Sequence, residues 1–288
     1  ILPSKRAGTF LKNALSKKAN RTMHSPVIFS IEEFIEMVAR ISYANNTQQL
    51  FELYKAYLEI GDYEKESFDS FLNWAQTILQ DFNEIDRYLI DAEELFSGLT
   101  AVQEVSHWSV SAEKSEMIEN YLHFWRHLEP IYREFTANLL HKEIGHQGLV
   151  YRKAFQNIDD YSKHESKTHI FLGFNALNNA ESNILQKMLT ARAHIYWDID
   201  HYFLNDKLHD AGLFIRQHYK SWGFYQKNKL KGLSSHYLSE KQIEIIGVPK
   251  NISQAKYVGN LLAQIELKNS NAIKSSAVIL GDENLLNP

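Results

Sequence analysis

The chain has no cysteine in its 288 residues. That excludes disulfides, thiolate metal sites and cysteine nucleophiles, and it is compatible with a reducing compartment. No apolar run approaches the ~20 residues that a membrane span requires, and no signal-peptide pattern is present. A GxxxxGK[S/T] phosphate loop is also absent. No internal repeat or low-complexity tract is visible. Net charge is small: 31 Lys plus Arg against 35 Asp plus Glu gives −4, which says nothing about partners. The distribution of charge is more telling. Ile1 to Arg21 carries Lys5, Arg6, Lys12, Lys17, Lys18 and Arg21 with no acid, whereas Gly61 to Glu116 holds 13 acids against 3 bases. Arg216 to Ser239 is again purely basic, with Arg216, Lys220, Lys227, Lys229 and Lys231. Two basic segments thus flank an acidic one, a segregation that bears on nucleic-acid binding.

The clearest pattern is Thr168 to Asp200. His169 to Gly173 is a short apolar run ending in glycine, and Asn178 stands three residues before Glu181 as in a capping box. Ile184, Leu185, Met188 and Leu189 follow at helical spacing, and Ala193 to Trp197 is a second apolar run. Strand, helix and strand in this order predict a parallel βαβ unit, with function expected in the loops after Phe174 and Asp198. Ile1 and Leu2 read as the end of a strand, followed by the basic turn PSKRAG and a helix from about Thr9 to Ala19 with Phe10, Leu11 and Leu15 inward. A strand feeding a basic turn and a helix start is suited to binding an anion. The opening on a strand end and the closing Pro288 suggest a piece of a longer protein.

From Ser30 to about Lys163 the periodicity is helical, with no strand expected. Ser30 and Glu33 form a second capping box, Ser67 opens the most regular amphipathic helix, and Ser115 opens another that Pro130 interrupts. Further strands are expected at Ile243 to Val248 and Ala277 to Leu280, around a helix capped by Ser253. The arrangement predicts an α/β sheet interrupted by a long helical insertion.

Candidate chemistry is sparse. Asp198 and Asp200 beyond a strand suit a hard cation in principle, but carboxylates there are more often turn or cap residues. His123 and His127 share a helix face with Glu119, a spacing open to zinc, yet HFWRH lacks the internal Glu of HExxH and a structural role is preferred. DFNEID, with Asp81, Glu84 and Asp86, reads as a solvated helix face. No nucleophile, base and orienter set is formed, so no catalytic residue and no metal ligand is assigned. Between Arg216 and Tyr237, lysines alternate with Tyr219, Trp222, Phe224, Tyr225 and Tyr237. Cations track phosphates and rings stack on bases, so the composition suits single-stranded nucleic acid; an aromatic core under a loop-rich surface is the competing reading.

Seven segments taken together, ILPSKRAGTFLKNAL, FLNWAQTILQDFNEIDRYLID, THIFLGFNALNNAE, AHIYWDID, HDAGLFIR, IEIIGVPKNISQAKYVGNLL and AVILGDENLL, resemble the amino-terminal helicase-like region of AddB-type helicase–nuclease subunits of Bacteroidetes, which carry a PD-(D/E)XK nuclease downstream. The resemblance implies a RecA-like parallel sheet of the superfamily 1 helicase, P-loop NTPase fold, interrupted by a large all-α insertion. It assigns residues 1–29 and 166–240 to one RecA-like domain (1A), 30–165 to the helical insertion (1B) and 241–288 to the start of a second RecA-like domain (2A). PSKRAG then stands where such helicases contact single-stranded DNA, giving Ser4, Lys5 and Arg6 that role beside Lys220, Trp222, Lys227, Lys229 and Lys231. Gly173 and Phe174 occupy the place of the Asp-Glu pair that holds magnesium, which implies a lost ATPase. ATP and magnesium are then expected of the full-length assembly and no cofactor of these residues. The implied role is that of a cytoplasmic DNA-binding scaffold, preferring single strands and lying outside the membrane. It acts with a motor helicase subunit in processing double-strand breaks. Two alternatives are an active helicase domain whose phosphate loop lies before Ile1, and an interaction module whose acidic helices between Gly61 and Glu116 dock a motor subunit.

Overall fold

The computed structural model describes residues 1–22, 24–61, 65–99 and 116–286, with the side chains of 116–125 outside that description. The chain divides by its internal contacts into Ile1–Leu238 and Ser239–Pro288.

The first unit is mostly helical. Its helices are α1 (Lys5–Lys18), α2 (Ile31–Ala39), α3 (Asn46–Glu59), α4 (Phe68–Arg87), α5 (92–99), α6 (Glu116–His141), α7 (Gln147–His164), α8 (Asn179–Thr190), α9 (His201–Asn205) and α10 (Leu213–Ser221). Local chemistry fixes many of the starts. Ser30 and Glu33 exchange the two hydrogen bonds of a capping box, as do Asn45 and Gln48, and Asn178 and Glu181. Ser67 caps α4, whose buried stripe Phe71, Ala75, Leu79, Phe82 and Ile85 follows the helical period. Pro130 lies inside α6, and Ser115 is outside the described residues.

Helix α7 is the hub, packing against α2, α4 and α8. It meets α4 tightly at Gly148, where a Cβ would come within 2.1 Å of the Asn83 carbonyl oxygen and the Gly148 N–H donates to Asn83 Oδ1 at 2.7 Å. One hydrophobic core runs from Ile31 through Phe34, Phe82, Phe135 and Tyr151 to Trp197 and Tyr225.

The RecA-like sheet expected from the sequence is not what forms. Among the described residues the strands make three separate two-stranded parallel sheets: β1 (Ser42–Tyr43) with β2 (Ile144–Gly145), β3 (His169–Leu172) with β4 (Ala193–Tyr196), and β5 (Ile199–Asp200) with β6 (Leu233–Ser234). The first of these pairs lies within the stretch read as purely helical. The β3–α8–β4 unit has the expected order, with His169 opposite Ala193 and Leu172 opposite Tyr196. Ile1 hydrogen-bonds on either side of Phe171, donating to Ile170 O at 2.6 Å and accepting from Leu172 N at 3.0 Å, while Leu2 bridges Ser30 in parallel. These pairings are too short to make a continuous layer. One face of β3–β4, Phe171, Ala193 and Ile195, is buried on helices; the other, including Ile170 and Tyr196, stays exposed, whereas a doubly wound parallel sheet is covered on both sides.

Helix α1 begins four residues earlier than its sequence pattern indicates, at Lys5, with Ser4 as its cap. Phe10, read as inward, is 64% exposed. Gly8 takes the inner position instead, close to Ile28 and Leu2, so that Leu11 and Leu15 face the body and Phe10 turns away.

In the second unit, α11 (Asn251–Lys268) starts after Lys250, which has φ +62° and no side-chain cap bond, so Ser253 is not the cap. Residues 243–248 and 277–280, read as strands, have no ladder partners, and Ile245 and Ile279 are 94% and 91% exposed. Alternation of apolar residues identified segments suited to strands, but a strand exists only where another backbone receives its hydrogen bonds.

Candidate nucleic-acid interface

Ser4 accepts the Ala7 N–H at 3.3 Å and so fixes where α1 begins. Lys5 and Arg6 fall in its first turn. Lys5 reaches Glu33 at 3.0 Å, tying α1 to the capping box of α2. The hydrogen bond from the Ser30 N–H, then that from Lys5, hold the Glu33 carboxyl below its ordinary pKa, and the same pairing raises Lys5. The expected anion turn is therefore only half made. A cavity of about 190 Å³ lies between Ser4, Lys5, Lys12 and Phe29, but the Glu33 carboxylate lines it too and competes with any phosphate for Lys5.

The remaining cations of α1, and Arg21 just after it, are freer. Arg6, Lys12, Lys17, Lys18 and Arg21 are exposed and form no ion pair among the described residues. Their spread along the exposed side of α1 and the residues just after it, with no acid from residue 1 to residue 21, concentrates positive potential where a polyanion can reach it.

The Arg216–Ser239 segment divides into core and surface. Trp222 is only 3% exposed, which corrects its assignment to DNA: its ring lies 4.8 Å from His218, 5.6 Å from Trp197 and 6.0 Å from Tyr225, centroid to centroid. Trp197 Nε1 donates to the Tyr225 hydroxyl at 2.7 Å, and burial pushes that hydroxyl's pKa up to about 12. Burial lowers the pKa of His218, whose Nε2 lies 3.3 Å from the Asn175 carbonyl. These rings close a hydrophobic core and have no free face to offer a base. Arg216 is also structural, donating to the carbonyls of Phe203, Asp206 and His209 at 2.8–2.9 Å.

Lys220, Lys227, Lys229 and Lys231 are exposed, as is Tyr219. Lys231 stands 5.9 Å from the ring centroid of exposed Tyr196. Its backbone is pinned beside β4, since the Trp197 N–H donates to Lys231 O at 3.0 Å. Gly232 makes that approach possible: it has φ +78°, and a Cβ there would meet Trp197 N at 2.8 Å.

The loops after β3 and β4 do not converge on a catalytic arrangement. Gly173, at φ +72°, turns the chain out of β3, and Phe174 is buried edge-on to Phe171. Asp198, at φ +57°, is a turn residue. Asp200 caps α9, accepting from Tyr202 N at 2.9 Å, and also receives Ser234 Oγ, His236 N and Tyr237 N at 2.6–3.0 Å. The Tyr202 N–H first, with these other donors, holds its pKa down to about 2. No group of three or more His, Asp or Glu placed to hold a metal occurs among the described residues, and the His123 side chain lies outside them.

Sequence reading missed the buried charges of the helical part. Asp86, read as part of a wet helix face, is fully buried at the end of α4. Tyr132 Oη donates to its Oδ1 at 2.6 Å, Arg152 Nε donates to the same oxygen, and Oδ2 faces His146 Nε2 at 3.2 Å, out of line for a hydrogen bond. His146 Nδ1 caps α7 by accepting the Leu149 N–H at 3.2 Å, which assigns the ring proton to Nε2. Burial raises the Asp86 pKa, but the His146, Tyr132 and Arg152 contacts outweigh it and hold the group below its ordinary value. Asp86, His146 and Tyr132 are buried, and Arg152 is partly so. The cluster joins α4, α6 and α7.

No protein-family model matches the chain, and no curated protein matches it either. No helix among the described residues is long and apolar enough to cross a membrane.

Proposed function

We propose that the chain is a DNA-binding, non-hydrolysing scaffold, preferring single strands, of the kind that AddB-type exonuclease subunits contribute to the processing of double-strand breaks in the cytoplasm beside a motor subunit. The observation that carries the reading is the acid-free surface of α1. Four exposed cations there, and Arg21 just beyond the helix, have no carboxylate partner among the described residues, and Lys220, Lys227, Lys229 and Lys231 add a second basic surface. The resemblance of the seven quoted segments supplies the repair role. It does so by sequence alone, since the extended RecA-like sheet that came with it does not form among the described residues. Gly173 and Phe174, where a hydrolase of that kind needs two carboxylates, support a binding rather than a hydrolytic part.

The test is fluorescence anisotropy with a labelled single-stranded oligonucleotide across a salt series. Binding through phosphate contacts gives a log–log slope of roughly −0.7 per cation engaged. Salt-dependent binding supports the proposal; absence of binding at low salt removes it.

A further inference from the structure

Helix α1 carries on its outer side a stripe that neither its capping nor its packing uses. At about 100° per residue, Arg6, Phe10, Asn13 and Lys17 fall within an arc of about 60°. Gly8, Leu11 and Leu15 occupy the opposite side, turned toward the body. The stripe therefore presents a phenyl ring, 64% exposed, with a cation one turn before it and another two turns after it.

We propose that Phe10 is a base-stacking platform and that Arg6 and Lys17 hold the phosphates on either side, so that α1 receives a single nucleic-acid strand lengthwise. This rests on the DNA-binding reading above and adds the residue that distinguishes single strands from duplex. A single exposed phenylalanine is unremarkable on a protein surface, but this one is bracketed by unpaired cations in a segment with no acid. A ring so placed gains only from a base whose face is open, because in a duplex the faces are already stacked. A membrane surface is the poorer occupant: interfacial helices bury a broad apolar face, and the leucines of α1 point the other way.

The experiment measures oligonucleotide anisotropy for the whole chain and for Phe10→Ala, Phe10→Trp and Val27→Ala, the last an exposed apolar side chain off the stripe. Circular dichroism confirms equal folding. Phe10→Ala is expected to weaken single-strand binding by about 5- to 150-fold, the range for losing one stacked base, and to leave blunt-duplex binding and the salt slope unchanged. Phe10→Trp and Val27→Ala stay within about twofold of wild type. An oligonucleotide with abasic sites erases the difference between wild type and Phe10→Ala. Equal single-strand affinity of wild type and Phe10→Ala overturns the platform and leaves the DNA-binding reading standing. Failure of the wild type to bind any oligonucleotide at low salt overturns both. Binding to phosphatidylserine vesicles that depends on Phe10, with oligonucleotide binding indifferent to it, overturns the platform in favour of a lipid surface.

Discussion

Replacing Asp86 by alanine removes the acceptor on which Tyr132 and Arg152 converge and which the His146 ring faces. Deleting one partner of a buried ion pair costs about 3–5 kcal/mol, since the other charge stays behind without compensation. The lower end applies here. Arg152 keeps the Ile85 and Ile90 carbonyls at 2.9 and 2.7 Å, and its side chain is 22% exposed. About 3 kcal/mol is a large fraction of the 5–15 kcal/mol that domains usually have, and it moves a urea midpoint by roughly 1–3 M. Urea denaturation followed by circular dichroism measures it. The pH dependence has a definite sign. The folded Asp86 pKa lies below the ordinary carboxylate value, so its contribution is complete above about pH 4, the unfolded value, and disappears as pH falls through the folded one. Wild type and Asp86→Asn should therefore converge in acid. A loss under about 1 kcal/mol for Asp86→Ala, or a gap between wild type and Asp86→Asn that widens on acidification, would refute the reasoning.

Gly148→Ala forces a methyl group into the Asn83 carbonyl at the α4–α7 crossing and should cost at least as much as ordinary core overpacking, about 1–3 kcal/mol, by the same denaturation assay. Trp222→Ala should destabilise by about 3–5 kcal/mol and leave the oligonucleotide affinity of the folded fraction unchanged; loss of affinity without loss of stability would return Trp222 to the DNA surface. Gln at Lys227, Lys229 and Lys231 together should reduce the salt slope by up to about 2, with no change in thermal midpoint.

What could be read from the sequence was local. The capping boxes at Ser30 and Asn178 and the amphipathic stripe of α4 depend on residues three or four apart, and they stand where the pattern put them. The β3–α8–β4 unit is local in the same sense. The Asp86 cluster was invisible because its members come from three helices, and DFNEID alone has the composition of a solvated face. Phe10 was misplaced because Ala7, Phe10, Leu11, Ala14 and Leu15 form one apolar series, and only the packing of Gly8 decides which edge turns inward. The lysines of Arg216–Ser239 and the rings among them looked like one surface. Trp222 and Tyr225 proved to be core, while Tyr219, Tyr237 and the lysines are exposed, a division that alternating composition does not encode. The second unit shows the converse limit, since residues 243–248 have a strand's composition and no ladder partner.

The most direct test compares the salt dependence of single-stranded oligonucleotide binding by the whole chain with that of an Arg6→Gln, Lys17→Gln variant. If α1 is the binding surface, the wild-type log–log slope is steep and the variant's is shallower by about 1.4, two cations at roughly 0.7 each. Identical slopes and affinities for the two proteins would show that nucleic acid, if bound, is held elsewhere.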